Sequence, residues 1–340
     1  MERFRRGNIR LRQPHSALSR RFRKTAMTKT HAPERHESTD DSLLSRLRIP
    51  HRVQVAGFAF VMIAPALLLF VLLTIYPVGR GLWISFHRWD GVSDPTWVGG
   101  ANYKFVVNDE VFWNALKNTV LFAIVVTVVK NLLGLLFALL LNSKIRGQTF
   151  FRTAGFMPVT FSFVVIGVLW SWIYNPTFGL LNAVLESLGL SAWIHGWLSD
   201  PRLALWSVMC VDIWKWTGLH IVIFLAGLQG INKEYQEAAT VDGASRWQGL
   251  TRVTLPLLSH VTAVSVFLSI LGAFVSSYDV VYVMTEGGPF HSTEVVMTWI
   301  VTTAFRFSKV GKANAMSMIL FVVAGVLGFL QYRIMSVRED

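Results

Sequence analysis

The chain has 340 residues, of which 53% are hydrophobic and only 15% are charged, and its mean hydropathy is +0.46. This composition leaves too little polar material to coat a soluble protein of that length, so a soluble two-domain enzyme is excluded. The net charge of +12 is concentrated at the amino terminus, because residues 1–54 hold 14 of the 32 Lys and Arg residues. The single cysteine, Cys210, offers neither an intrachain disulfide nor a cysteine-based metal cluster.

Residues 1–54 form a basic head without the long apolar core of a cleavable secretory signal. We predict a disordered cytoplasmic extension that touches anionic membrane lipid, since a basic residue near such a surface gains about 1 kcal/mol. Charge alone also allows a nucleic-acid-binding arm or a transit peptide, but we expect no nucleic-acid partner. Met27 is a possible true start, because the residues after it already suffice to orient a first membrane helix.

The rest of the chain, residues 55–340, is predicted to be a membrane domain. Its apolar runs are long enough to cross a hydrocarbon layer of about 30 Å, for which a helix needs about 20 residues. They lack the polar–apolar alternation of barrel strands, which favours helices. The prediction is an all-α membrane protein with six transmembrane helices, at 55–76, 119–141, 153–174, 203–230, 259–283 and 313–335. The apolar stretch 295–305 is too short to span and predicts a short helix at the interface.

Six crossings place both termini on one side, and positive charge indicates that side, because Lys and Arg are retained in the cytoplasm. The head, the loops 142–152 and 231–258 and the tail 336–340 with Arg333 together carry 22 Lys and Arg residues. The three opposite loops, which are 77–118 without Lys117, 175–201 and 284–311, carry 5 and are predicted to be the outer loops. We therefore expect a multi-pass protein of a bacterial-type inner membrane with both termini in the cytoplasm.

Several polar residues lie inside the predicted spans, where an ionisable side chain costs about 2.5–3.5 kcal/mol on insertion scales. Asp212 and Lys215 are three residues apart on one helix face, which predicts that they neutralise each other. Lys130 is expected to snorkel or to face a partner subunit or a water-filled cavity. Together these spans contain the candidates for a substrate pathway, which are Lys130, Asp212, Lys215, Tyr278 and Asp279.

The loop 231–258 is the most informative segment of the sequence. Its pattern predicts two short helices with a bend, the first capped by Asn232 and the second by Asp242. Gly243 at the junction supplies an unusual backbone angle or a close approach, and Pro256 limits the second helix. Small alanines flanked by charges would let such a helix sit in a groove on another protein. The alternative interpretation is an amphipathic surface hairpin with Ala and Gly as filler.

The same loop contains a spaced motif: Glu237-Ala238-Ala239, three residues, Gly243, nine residues, Val253, one residue, and Leu255-Pro256. The motif resembles the EAA loop of ABC importer permeases, which usually has Ile where Val253 stands. The run Thr285-Glu286-Gly287-Gly288-Pro289 is similar to the last outer loop of the maltose-type first permease of carbohydrate importers. The resemblance covers roughly residues 55–335, and it implies the bundle of a type I ABC importer permease (MetI-like) with cytoplasmic coupling helices.

This resemblance assigns roles to named residues. It implies an ATPase-coupling surface made of Glu237, Ala238, Ala239, Asp242, Gly243, Ala244, Leu255 and Pro256, and an outer-loop signature made of Gly287, Gly288 and Pro289. It also implies a heterodimer with a sister permease, two ABC ATPase subunits and an extracytoplasmic solute-binding protein. The implied cargo is a sugar or polyol that is imported by alternating access.

The sequence has no motif for its own catalysis. A Gly-x-x-x-x-Gly-Lys-Ser/Thr phosphate loop is missing, so we expect a transport subunit that is not an enzyme, with ATP and Mg on the partner ATPase and no cofactor on this chain. Neither His-Glu-x-x-His nor Cys-x-x-Cys occurs, so we expect no metal site. Two other hypotheses stay open, an ion-coupled secondary transporter with Lys130, Asp212 and Lys215 as a relay, and a membrane-anchored receptor or scaffold.

Overall fold

The computed structural model of the chain describes residues 51–143 and 146–336, and these are mostly helical. By internal contacts the chain divides into two units, residues 1–66 and 67–340. The predictions for the basic head and for Met27 fall on residues 1–50, outside the described residues.

The first helical segment of the described chain is long and apolar. It consists of α1 (His51–Phe70), a π-helical turn (Val71–Ile75) and α2 (Tyr76–Ser85). The described part of the first unit, residues 51–66, lies entirely in α1. The stretch Phe60–Ser85 is long and apolar enough to cross a membrane. The first predicted span is therefore helical, and its helix continues nine residues beyond the expected end at residue 76.

A short β-hairpin and a helix follow α2. Strands β1 (His87–Arg88) and β2 (Thr96–Trp97) pair antiparallel and lead into α3 (Ala101–Val107). The buried amide of Asn102 donates to the carbonyl oxygens of Ser85, at 2.8 Å, and of His87, at 2.9 Å. These two bonds fasten α3 to the end of α2.

Helix α4 (Glu110–Asn142) is the longest element of the described chain. Its start is fixed by Asp109, whose carboxylate accepts from the backbone N–H groups of Val111 and Phe112 and so satisfies two unpaired donors of the first turn. The prediction of a helix over 119–141 is confirmed, but this cap starts the helix nine residues earlier.

The third predicted span, 153–174, was expected to be one helix, but the chain there is not one continuous helix. The structure has two helices, α5 (Gln148–Thr160) and α6 (Phe163–Ile173), which are bent by 101° relative to each other. Ser162 has an extended backbone and its hydroxyl accepts from Val165 N–H, so it starts α6 as a new helix instead of continuing α5. The segment is therefore either a broken span or a re-entrant loop.

Two further helices agree with the predicted spans within a few residues. Past α7 (Leu180–Ser187) and a 3₁₀ turn (Ser191–Trp193), α8 covers Ala204–Gly230 and α12 covers Ser259–Met284. Between them lie α9 (Lys233–Val241), α10 (Arg246–Gln248), a π-helical segment (Gly249–Thr254) and α11 (Leu255–Leu257).

The last elements are α13 (Val296–Val301), a π-helical turn (Thr302–Arg306) and α14 (Val310–Ser336). The prediction of a short helix over 295–305 is confirmed. Four helices of the described chain are long and apolar enough to cross a membrane, or five if α5 and α6 form one span, and α14 adds a shorter apolar stretch, Val310–Val326.

Helix α8 lies at the centre of the packing in the second unit and contacts α4, α5 and α12. Glycines permit the closest approaches: a Cβ at Gly134 would lie 2.6 Å from the His220 Cβ, and one at Gly218 would lie 2.1 Å from the Gly155 carbonyl oxygen. Small residues at such contacts are typical of helix packing in membranes, where backbones must come close for van der Waals attraction.

Candidate functional site

The first candidate site is the loop 231–258, which we call the exposed bend. Its first helix, α9, is capped as predicted, because the Asn232 side chain accepts from Glu234 N–H at 3.2 Å. No residue of α9 is buried, and Tyr235 and Val241 are 57% and 87% exposed. A helix of nine residues is marginal without tertiary packing. Its apolar side chains are thus free to contact another protein.

The bend itself is made by a glycine. Gly243 has φ +78°, which is the left-handed conformation that L side chains rarely adopt, so the predicted unusual backbone angle is confirmed. Ala244 N–H closes the turn by donating to the Ala239 carbonyl oxygen at 2.9 Å. A Cβ built on Gly243 would meet nothing within 4 Å, so the glycine is needed for its backbone angle and not for space within this chain.

The expected cap of the second helix was wrong. Asp242 ends α9, and its N–H donates back to the Ala238 carbonyl oxygen at 2.9 Å. Ser245 is the N-cap instead: its hydroxyl accepts from Gln248 N–H, while the Gln248 side chain accepts from Ser245 N–H at 2.8 Å. This reciprocal pair satisfies the backbone N–H groups of Ser245 and Gln248. Asp242 cannot reach them, because it lies three residues before Ser245 and on the other side of the turn at Gly243.

The carboxyl-terminal end of the exposed bend leads into α12. Pro256 lies in α11, which directly continues the π-helical segment, and α11 ends one residue later at Leu257. Leu258 is buried against Phe224 and Leu228 of α8. Both ends of the exposed bend are thereby joined to the packed helices, while its middle is exposed.

A cleft of about 720 Å³ runs along α9, between that helix and the ends of α4 and α8. Glu237 and Val241 line the cleft from α9, and Leu228 lines it from α8. On the second half of the bend, the Trp247 side chain is 71% exposed. Ala239 and Ala244 are half-buried. Of the predicted coupling residues, Glu237 therefore lines a cleft beside α9, while Ala239 and Ala244 are partly covered.

The second candidate site is a set of buried polar residues in the spans. The Lys130 ammonium pairs with the Asp212 carboxylate, with Nζ to Oδ2 at 3.0 Å and side chains that are 2% and 0% exposed. The prediction that Asp212 and Lys215 neutralise each other was therefore wrong. Lys130, on the neighbouring helix α4, supplies the counter-charge, because α4 packs closely along α8.

Lys215 has a different role in the structure. Its ammonium donates to the carbonyl oxygens of Pro158, Val159 and Phe161, at 3.3, 3.2 and 2.5 Å. These acceptors lie at the bend between α5 and α6, where the helical hydrogen-bond pattern is interrupted. Lys215 therefore adds a donor to the carbonyl groups at the break, one of which, that of Pro158, also accepts from Phe161 N–H.

A hydrogen-bonded chain connects three helices near the ion pair. The Ser265 hydroxyl donates to Asn131 Oδ1 at 2.7 Å, and His220 Nδ1 lies 2.8 Å from the same hydroxyl oxygen. Since the hydroxyl has a single proton and gives it to Asn131, His220 must donate from Nδ1. The chain links α8, α12 and α4, and all three residues are buried.

The remaining pathway candidates, Tyr278 and Asp279, are half-buried near the end of α12. The Tyr278 ring stacks on Tyr282 with centroids 5.5 Å apart. The structure thus brings Lys130 and Asp212 into contact, whereas Lys215 and Tyr278 have other partners. The relay of Lys130, Asp212 and Lys215 that the ion-coupled hypothesis needs is divided between an ion pair and a set of backbone acceptors.

The third candidate site is the loop 285–295 between α12 and α13. Gly287 has φ +86°, and a Cβ there would lie 2.4 Å from a Glu294 carboxylate oxygen, so this glycine is required for both angle and space. The Thr293 hydroxyl, which is fully buried, donates to the Gly288 carbonyl oxygen at 2.6 Å, next to Pro289. The signature residues therefore shape a tightly bonded loop.

Sequence reasoning missed the residues that hold this loop in place. The Asn118 amide donates to the carbonyl oxygens of Ser292, at 3.0 Å, and Glu294, at 2.9 Å, and the Thr119 hydroxyl accepts from Val296 N–H. Asn118 and Thr119 are polar residues at the start of a predicted span, and that position was the available signal. Among the described residues, no group of His, Cys, Asp and Glu could hold a metal ion.

Comparison with known proteins identifies the fold and the family. Residues 130–338 match the family described as binding-protein-dependent transport system inner membrane component. The chain is 32% identical over 305 residues to the trehalose/maltose transport system permease protein MalF of Thermococcus litoralis, covering 88% of this chain and 100% of that protein. It is 33% identical over 292 residues to the lactose transport system permease protein LacF of Rhizobium radiobacter, covering 85% and 96%.

The fold also matches a solved structure. It is similar to a chain of a bacterial alginate ABC transporter in complex with an alginate pentasaccharide-bound periplasmic protein, with a TM-score of 0.72, 24% identity and coverage of 84% of this chain and 96% of that one. That likeness supports the predicted helical permease fold, and none of the comparisons supports an ion-coupled transporter. The chain belongs to the inner membrane components of binding-protein-dependent transport systems, the permease subunits of ABC transporters.

Proposed function

We propose that this permease imports a sugar or polyol by alternating access. The relatives named for trehalose/maltose and for lactose transport match 88% and 85% of the chain, which supports a carbohydrate cargo. In this proposal the chain pairs with a sister permease, and an extracytoplasmic solute-binding protein delivers the cargo to the outer loops. The periplasmic protein in the alginate transporter complex supports a delivery partner of this kind.

The membrane arrangement that we propose has six spans with both termini in the cytoplasm. In it, α5 and α6 together provide the third span, α14 provides the sixth, and residues 1–54 form a cytoplasmic extension ahead of a membrane domain of residues 55–340. The ratio of 22 to 5 Lys and Arg residues supports this orientation, since positively charged loops stay in the cytoplasm.

We propose that the exposed bend docks into an ABC ATPase subunit, with two such subunits in the complete transporter. ATP and Mg would bind to the ATPases, and Glu237, Ala238, Ala239, Asp242, Gly243, Ala244, Leu255 and Pro256 would transmit their closure. The observation that carries this proposal is that α9 has no buried residue although both ends of the bend are anchored. The exposed bend can shift the permease between two conformations only if the ATPase binds those conformations with different affinity.

Cross-linking tests the docking directly. In a Cys210→Ala background, a cysteine at Ala238, which is exposed on α9, should be cross-linked to an ATPase subunit in intact cells. A cysteine at Trp97, in the first predicted outer loop, is the matched control and should capture no ATPase. Capture from neither position, or from Trp97 alone, would contradict the docking and the orientation.

A transport assay separates the proposal from the ion-coupled alternative. Glu237→Lys should abolish uptake of radiolabelled sugar while the protein still inserts in the membrane. Uptake by the wild type should persist when an ionophore collapses the ion gradients and cease when cellular ATP is depleted. The opposite pattern would favour an ion-coupled carrier, and no uptake under any condition would favour a receptor or scaffold.

A further inference from the structure

A basic pocket lies where the ends of two long helices meet, after α2 and before α14. Its volume is about 440 Å³, within the range of small-ligand sites. Arg88 enters it from β1, and Lys309 and Lys312 enter it from the start of α14. Basic residues from two segments that are more than 200 residues apart in sequence therefore line one cavity.

These cations are unusual because of the side on which they lie. In the proposed orientation the outer loops carry only 5 Lys and Arg residues, and Arg88 and Lys309 are two of them. In the part of the chain that the structure describes, neither they nor Lys312 forms an ion pair with a carboxylate. Lys312 is repelled by the charges of both Arg88 and Lys309. Unpaired cations that repel one another favour the binding of an anion.

The nearby carboxylates are engaged elsewhere. Asp90 lines the pocket, but it accepts hydrogen bonds from Val92 N–H and Ser93 N–H and from the Ser93 hydroxyl. Asp109, which also attracts Lys312, caps α4 and accepts from Trp299 Nε1 at 2.9 Å. Three cations and one lining carboxylate leave the pocket positively charged.

The walls of the pocket are fixed by close contacts. Gly311 is buried so tightly that a Cβ there would lie 2.0 Å from the His87 carbonyl oxygen, and its N–H donates to the Trp89 carbonyl oxygen at 3.2 Å. The Lys312 ammonium is held 3.4 Å from the centroid of the Phe105 ring. The Gly311 backbone and the Lys312 ammonium are therefore held in place, whereas Arg88 and Lys309 are exposed at the mouth of the pocket.

The position of the pocket along the membrane normal indicates which anion it binds. Arg88 lies three residues after the end of α2, and Lys309 comes directly before α14. Nearby aromatic rings include Trp89, which is half-buried, and Trp97, which is 67% exposed, and tryptophan is typical of headgroup depth. At the ends of two membrane-spanning helices, on either side of the bilayer, the neighbouring anions are the phosphates of the lipid headgroup layer.

We propose that this pocket binds the phosphate group of an anionic phospholipid headgroup. The site rests on the proposed membrane placement of α2 and α14, but it requires neither sugar uptake nor an ATPase. A lipid bound there would join the first and last spans at their outer ends. Free phosphate shares the same chemistry, so the test below distinguishes the two sources.

Native mass spectrometry of the full-length chain, purified in a mild detergent with any subunits that accompany it, tests the proposal. Phosphatidylglycerol, phosphatidylcholine and inorganic phosphate are added in separate titrations. We expect phosphatidylglycerol to bind more tightly than phosphatidylcholine. The double variant Arg88→Gln/Lys312→Gln should weaken phosphatidylglycerol binding by about tenfold or more, since each basic residue near an anionic surface adds to its attraction.

Two controls exclude general effects of charge and folding. Lys104→Gln removes an exposed outer cation of α3 that does not line the pocket, and it should leave binding unchanged. Lys312→Arg keeps the charge and should retain the lipid. Binding of phosphate alone with the same dependence on Arg88 and Lys312 would support the phosphate site with a free anion as its source. Equal lipid and phosphate binding by the wild type and the double variant, or an equal loss with Lys104→Gln, would overturn the proposal.

Discussion

Substitutions at Gly243 separate the backbone requirement of the exposed bend from contacts with a partner. Gly243 has φ +78°, and a Cβ there would touch nothing within 4 Å. In the isolated chain, Gly243→Ala and Gly243→Leu should therefore be destabilised for the same reason, because each places an L side chain in the left-handed conformation. That conformation costs an L residue about 1–2 kcal/mol. Because the surrounding space is open, the longer Leu side chain adds no steric clash within this chain.

The same segment provides a matched control. Gly249 has a helical conformation, with φ −59°, and it also has open space around its Cα. Gly249→Ala should stabilise the local helix by about 0.5–1 kcal/mol, because glycine is a poor helix former. A loss of function that is specific to Gly243 can then be separated from a general effect of adding a methyl group to the bend.

The two Gly243 variants should differ only when the partner is present. We expect the purified variants to have similar thermal midpoints in detergent. In cells, Gly243→Ala should retain part of the sugar uptake and of the ATPase that co-purifies, whereas Gly243→Leu should lose both, because the larger side chain fills space that the docked subunit needs. If Ala and Leu reduce uptake equally, the bend acts only through its backbone and the inferred close approach of a partner is wrong.

Three further predictions concern the buried and outer polar residues. Asp212→Asn leaves the Lys130 ammonium buried without a counter-charge and should lower stability by about 3–5 kcal/mol, whereas Lys130→Met/Asp212→Leu should recover most of it in thermal unfolding. Lys215→Met removes the donor to three carbonyls at the α5–α6 bend and should make that bend the first region to exchange amide hydrogens. Hydrogen bonds from its own loop lower the pKa of Asp90 to about 2, from 3.8, so its loop should be fully ordered above pH 3.8 and lose order as the pH falls through about 2. Asp90→Asn should remove that pH dependence of amide exchange.

The spans that the sequence predicts well are those whose length follows from hydrophobicity alone. Helices α8 and α12 begin and end within one residue of the predicted ranges 203–230 and 259–283, because uninterrupted apolar runs of that length have few alternatives in a membrane. The break between α5 and α6 was not predicted. Its local signals are Pro158 near the end of α5 and the serine cap at Ser162, and neither shows how the break is stabilised. Lys215, which donates to carbonyl groups at the break, lies 54 residues from its nearest acceptor.

The site residues also divide into those that depend on neighbours in the sequence, which were predictable, and those that depend on distant residues, which were not. The cap at Asn232 and the backbone angle at Gly243 were predictable, since both depend on the few residues around them. The partner of Asp212 was not, because Lys130 is 82 residues away and a helix-face argument favours the nearer Lys215. Packing between α4 and α8 decides that pairing. The rotation of one helix relative to the other cannot be inferred from a single sequence.

Helix α4 explains how movement of the exposed bend would reach the loop 285–295. The bend is continuous with α8 and α12, so a force on it acts on both helices at once. Buried polar contacts tie each of them to α4, through Lys130 to Asp212 and through Asn131 to Ser265. At its other end α4 holds the loop 285–295 by the Asn118 amide. Because paired buried groups resist separation, we expect the three helices and the loop 285–295 to rotate as one body. Rigid-body alternating access requires this response.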